Sequence, residues 1–124
     1  MPGLNSVLIV EEHEEMRAAL RSWLLASLTE PRLTEARSSE EALAHAARGG
    51  LDLVLVNFEI PGLNGIEAAR ELRRRHPSCP VVVMSVNDSE VLRSAALEAG
   101  AVAFLSKREL PSALLPILNR LRKK

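Results

Sequence analysis

Aromatic side chains are nearly missing from this chain. It has no tyrosine, one tryptophan and two phenylalanines among 124 residues, so leucine, valine, isoleucine and alanine must build its core. A lone cysteine, Cys79, excludes an internal disulfide and fits a reducing cytosol, so a cytoplasmic location is expected. No apolar run approaches the roughly eighteen residues that a membrane-spanning helix needs. Excess charge of either sign is also absent, with 16 basic and 16 acidic residues, and no global field therefore points toward nucleic acid. The start, Met-Pro-Gly-Leu-Asn-Ser, has neither the charged segment nor the long apolar segment of a signal peptide. The length suits one domain over residues 1–124.

What the chain does have is alternation. Short apolar runs at about 6–11, 51–57, 80–85 and 102–106, with a weaker, half-polar run at about 32–36, alternate with segments of helical periodicity. Met16, Leu20, Trp23, Leu24 and Leu28 recur at helical spacing from about Glu14 to Leu28. Ser38 with Glu41 has capping-box spacing before a stripe of Ala42, Leu43, Ala46 and Ala47. Ile66, Ala69 and Leu72 face inward from a helix at about Gly65 to Arg75, with Arg70, Arg73, Arg74 and Arg75 outward. Asn87-Asp88-Ser89 offers caps for a helix that ends near Ala99-Gly100. In the last helix Pro116 is tolerable if Ser112 is the N-cap, because a first-turn N–H is unpaired anyway. Five strands and five helices joined by short loops predict a parallel sheet covered on both faces, and the doubly wound order 2-1-3-4-5 of flavodoxin-like folds suits five strands best.

In such sheets ligands sit outside the carboxyl ends of the strands. There the apolar runs give way to Glu11-Glu12, Asn57, Ser85 and Lys107. Any one polar residue after a strand is ordinary, but an acidic pair, a carboxamide, a hydroxyl and a lysine at four strand ends make a candidate site. Glu59, two residues past Asn57, is near enough to reach it, although a solvated loop position is the commoner fate of such a residue. His13 reads as a helix-start histidine, and the Arg73-Arg74-Arg75 run as a solvated face. The basic tail Arg120 to Lys124 suits a helix C-terminus or the start of a linker.

These residues in this order resemble the receiver domain of two-component response regulators, over essentially the whole chain. Val7-Leu8-Ile9-Val10-Glu11-Glu12 is similar to the strand ending in the family's acidic pair. Asp52 to Asn57 followed by Ile60-Pro61-Gly62-Leu63-Asn64-Gly65 resembles the phosphoacceptor strand and its turn. Pro80 to Ser85 resembles the strand with the switch hydroxyl, and Ala99 to Lys107 the one ending in the family's lysine. The wording is closest to receivers attached to helix-turn-helix domains. The resemblance implies that the acidic pair holds Mg²⁺, that an aspartate accepts a phosphoryl group from a histidine kinase, and that Ser85 and Lys107 read it. It also places Phe104 at the switch aromatic.

The chain departs from that pattern where chemistry is made. Asn57 stands in place of the phosphoacceptor, and an amide oxygen is a poor nucleophile with no stable acyl phosphate to form. Glu11 and Glu12 replace the usual aspartates, so any Mg²⁺ site is expected to be weak and no other cofactor is implied. The expectation is an atypical, non-enzymatic receiver that acts by protein–protein contact. Its partners would be a histidine kinase, an output domain or a second copy. The expected contact face is formed by the fourth helix, fifth strand and fifth helix, with Leu92, Ala96, Leu114 and Leu118 as candidates by periodicity. Direct nucleic-acid or membrane binding is not expected. Two alternatives remain at this stage: phosphorylation elsewhere, on Ser85 or Glu59, and a small-ligand or anion sensor using the emptied pocket near Lys107. A flavodoxin-like cofactor enzyme lacks support, since no glycine-rich phosphate loop follows the first strand.

Overall fold

The computed structural model describes residues 5–122; the start of the chain up to Leu4, and Lys123 and Lys124 of the basic tail, lie outside the described residues. Five strands alternate with five helices. They are β1 Ser6–Val10, α1 Glu14–Ser27, β2 Arg32–Ala36, α2 Ser39–Ala47, β3 Leu53–Asn57, α3 Gly65–Arg75, β4 Val81–Ser85, α4 Glu90–Glu98, β5 Ala103–Ser106 and α5 Leu110–Arg122. A 3₁₀ turn, Lys107–Glu109, leads into α5. All strand pairs are parallel, in the order 2-1-3-4-5, which is the flavodoxin-like, doubly wound arrangement.

Strand period splits the core in two. Leu8, Val10, Val54, Val56, Val81, Val83 and Phe104 turn toward α2, α3 and α4, against Ala42, Ala46, Ile66, Ala69, Leu72 and Ala96. Val7, Ile9, Leu53, Leu55, Val82, Met84 and Leu105 turn toward α1 and α5, against Leu20, Leu24, Leu114 and Leu118. Because both faces are covered, β3 and β4 are buried at every position, which is why they read as unbroken apolar runs. β2, at an edge, is only half-buried until Ala36.

Several local expectations change. α5 begins at Leu110, so Pro116 lies inside the helix rather than in its first turn. Proline there removes an N–H and crowds the carbonyl of Ser112, but Ser112 and Pro116 are both exposed, and water faces the break. The stripe chosen as a contact face is core: Ala96, Leu114 and Leu118 are buried and Leu92 packs partly against the core. An apolar stripe at helical spacing is what a helix lays on its sheet, so periodicity selects the hidden side. The exposed large apolar side chains on α4 and α5, among the described residues, are Val91, Leu97 and Leu115. Ala47 is exposed, beyond the packing stripe of α2. Arg73 is half-buried and donates to the Cys79 carbonyl at 2.8 Å instead of pointing to solvent.

Candidate functional site

Each polar strand end is pinned by backbone geometry before its side chain acts. Glu11 N–H donates to Ala36 O at 2.9 Å, continuing the β1–β2 ladder by one residue. Phe58 N–H donates to Met84 O at 2.7 Å and so fixes Asn57 beside β4. A Cβ at residue 65 would stand 2.4 Å from the Asn57 carbonyl, so only glycine lets α3 begin this close to the strand end. Asn64 caps α3 with a full capping box to Glu67. Ser39 at the head of α2 is buried and accepts from Leu63 N–H at 2.8 Å, tying down the loop that carries Glu59.

Glu11, Asn57 and Ser85 are all buried at this edge. Glu11 is fully enclosed: Lys107 Nζ donates to its Oε1 at 2.9 Å, and its Oε2 receives the His13 backbone N–H and faces His13 Nδ1, each at 3.0 Å. Burial opposes ionisation more than any single effect, yet the His13 amide, the Lys107 ammonium and the His13 ring together outweigh it. They hold the Glu11 carboxyl below its usual range. Glu12 is exposed, so the acidic pair divides into one enclosed carboxylate and one outward one.

Asn57 donates its Nδ2 to the Glu59 carbonyl at 2.8 Å, and that acceptor fixes which way the carboxamide faces. Its Oδ1 is buried and receives no hydrogen bond from the described residues. Glu59 does reach the site rather than remaining a solvated loop residue. Its Oε2 accepts from Ser85 Oγ at 3.0 Å and lies 3.5 Å from Asn87 Nδ2, while Ser85 Oγ accepts from Asn87 N–H at 3.1 Å. Phe104 points inward, 1% exposed. Arg93 of α4 lies over its ring, 5.4 Å from the centroid, and donates to its carbonyl at 2.7 Å.

Three supporting arginines are not singled out by the sequence. Arg17 is buried; it donates to the carbonyls of Glu11 and Glu12 at 3.0 and 3.3 Å and pairs with Glu35 at 2.8 Å. Arg21 shares that carboxylate, and the two arginines outweigh the opposing burial to hold Glu35 below its usual range. The signal for Arg17 is its place on the inward stripe with Leu20 and Leu24. Arg93 has only an i, i+3 spacing from Glu90, too common to single it out.

Comparison with known proteins matches this arrangement to one family. The Response regulator receiver domain covers residues 7–119. The Transcriptional activator protein ExaE of Pseudomonas putida is 36% identical over 114 residues, covering 92% of this chain and 53% of its own length. The Cyclic di-GMP phosphodiesterase response regulator RpfG of Xanthomonas campestris pv. campestris (strain 8004) is 34% identical over 114 residues, covering 90% of this chain and 30% of its own. The chain thus spans about half, or less, of these curated relatives. The signal receiver domain of an HD domain-containing protein from Pseudomonas fluorescens Pf-5 superposes with a TM-score of 0.88 at 22% identity, over 99% of this chain and 90% of that one, a likeness of fold. Strand order, the polar residues at the carboxyl edge and a family match running almost end to end agree, and this chain belongs to the response regulator receiver domain family.

Proposed function

We propose that this receiver does not take a phosphoryl group at position 57 and that it signals through protein contact. The observation that carries this reading is the state of Asn57, a neutral amide buried at the end of β3 with its nitrogen on the Glu59 carbonyl. An amide oxygen gives no stable acyl phosphate. The place beside the Ser85 hydroxyl is held by the Glu59 carboxylate, which supports the same reading, because an incoming phosphoryl group would have to displace a resident anion.

Mg²⁺ fits these residues poorly. It takes oxygen ligands in near-ideal octahedral geometry. Both Glu11 oxygens are already engaged by Lys107 and His13, Glu12 is exposed and Asn57 brings no charge. Among the described residues no group of three or more His, Cys, Asp or Glu side chains could hold a metal ion. The partners proposed are a histidine kinase, an output domain or a second copy, meeting the face formed by α4, β5 and α5. Val91, Leu97 and Leu115 are the exposed large apolar side chains of α4 and α5 among the described residues.

The test is incubation with acetyl phosphate and Mg²⁺ followed by intact-mass measurement. No added phosphate is expected. A one-phosphate shift that disappears in Asn57→Ala overturns the reading. A shift that persists in that variant moves the acceptor elsewhere: acid-stable phosphate points to Ser85, hydroxylamine-labile phosphate to Glu59.

A further inference from the structure

A groove runs between α1 and α5 and shares only Lys107 with the strand-end site among the described residues. Met16, Leu20 and Trp23 line one side, Leu110 and Leu114 the other, and Lys107 is the one charged residue lining it among the described residues, around a cavity of about 300 Å³. An apolar concavity with one placed polar group, at the lower end of the roughly 300–1,000 Å³ usual for small-molecule sites, is the form such sites take. We propose that this groove binds a small apolar monoanion, a medium-chain or aryl carboxylate, with its head on the Lys107 ammonium and its hydrocarbon against Trp23.

Three observations select this occupant. A lysine ammonium carries three donors, and Lys107 gives one to Glu11 Oε1 at 2.9 Å, leaving capacity for a second acceptor. The strand-end pocket is closed to such a ligand, because Glu11 is fully enclosed and Glu59 occupies the Ser85 hydroxyl. Lys107 is also among the residues lining the α1–α5 groove, so a ligand seated there would approach it without displacing Glu59 from Ser85. The lining is otherwise largely apolar, with the Trp23 indole N–H and the Met16 sulfur its other polar side-chain atoms, and it carries no second charge among the described residues. A ligand seated there would share the ammonium that Glu11 depends on and so act on the buried strand-end pocket from outside. The inference stands whether or not position 57 can be phosphorylated.

Trp23 is the chain's single tryptophan and lines this groove, so its fluorescence reports a ligand bound there. Octanoate, octanol and octylammonium should each be titrated below their aggregation thresholds. Octanoate should give a saturable change, about tenfold tighter than octanol, as one charge-assisted hydrogen bond implies. Octylammonium should give none. Ala19→Phe, at an exposed position lining the same cavity, should abolish the octanoate response and leave the urea midpoint near that of the parent chain. Octanol binding as tightly as octanoate would overturn the ionic head, and an undiminished response in Ala19→Phe would overturn the location. Sedimentation showing a dimer that Ala19→Phe dissociates, with no octanoate response, would make the groove an interface between copies and end the ligand proposal.

Discussion

Glu11 and Asn57 end neighbouring strands, both almost without solvent exposure, and their surroundings have treated them differently. Every oxygen of the Glu11 carboxylate is engaged, and its cation comes from Lys107, 96 residues away. Asn57 is served only by the carbonyl of Glu59, two residues on, and its Oδ1 has no donor among the described residues. A buried charge left alone costs several kcal/mol, so the fold must bring its partner from wherever the chain supplies one. A buried amide oxygen without a donor costs about 1–3 kcal/mol, which a domain can carry. The charged half of the pocket is therefore built into the fold, whereas the amide half is tolerated by it.

Removing the cation should break this contrast most severely. Lys107→Met leaves the Glu11 carboxylate enclosed and unpaired, and an expected loss of about 3–5 kcal/mol would show in urea denaturation. The double variant Glu11→Gln with Lys107→Met should recover most of that loss. If the single variant is no worse than a surface substitution, Glu11 is not the buried, dependent charge described.

Acid should act on the same half. The folded Glu11 carboxyl titrates below its ordinary value of 4.5, so it contributes stability that is present above that value and is lost as pH falls through the folded one. Glu35 is displaced in the same direction by Arg17 and Arg21 against its burial, and it contributes with the same sign. Glu11→Gln should flatten the acid limb of the stability–pH curve, measured as urea midpoints, without abolishing it. An unchanged limb would place the depression elsewhere.

The same division explains what is legible in the sequence. Strands buried on both faces announce themselves, and the polar residues that end them stand out against such runs, so Glu11, Asn57, Ser85 and Lys107 can be found by position. Pairing cannot be read as directly: Lys107 meets Glu11 only because β5 and β1 end at one edge, and Arg17 reaches the Glu11 carbonyl only because α1 folds back over β1. Glu59 reads as solvated because loop placement depends on Ser39 and Gly62, which hold the turn against α2. Leu114 and Leu118 read as an outer face because periodicity identifies a stripe without saying which way it points.

Placing a carboxylate at position 57 should sharpen the contrast with the opposite sign. In Asn57→Asp one oxygen would replace the Nδ2 that now donates to the Glu59 carbonyl, so two acceptors would face each other in a buried place. Burial and that repulsion should raise the new carboxyl's pKa, and the variant should lose about 1–3 kcal/mol near neutrality. A carboxyl raised in the folded state destabilises above its folded pKa, and the loss should shrink as pH falls through that value. Acid therefore relieves the introduced carboxylate while it weakens the Glu11 half. A variant equally destabilised at about pH 4 and about pH 7 would refute this.

The smallest effect is expected at Glu59. Its carboxylate is only half-buried and meets a neutral hydroxyl from Ser85, so Glu59→Gln keeps an acceptor of the same shape in place and removes only the charge. Such an exchange should change stability by less than about 1 kcal/mol. Its visible consequence should be local. The Asn87 amide donates to the same Ser85 oxygen that donates to Glu59, so hydrogen-bond strength at one end is felt at the other. Backbone amide shifts in Glu59→Gln should move at Ser85 and Asn87 and stay put at Lys107, which belongs to the Glu11 half. Movement at Lys107 of the same size would mean that the two halves are one network, and the division between a built charge and a tolerated amide would have to be abandoned.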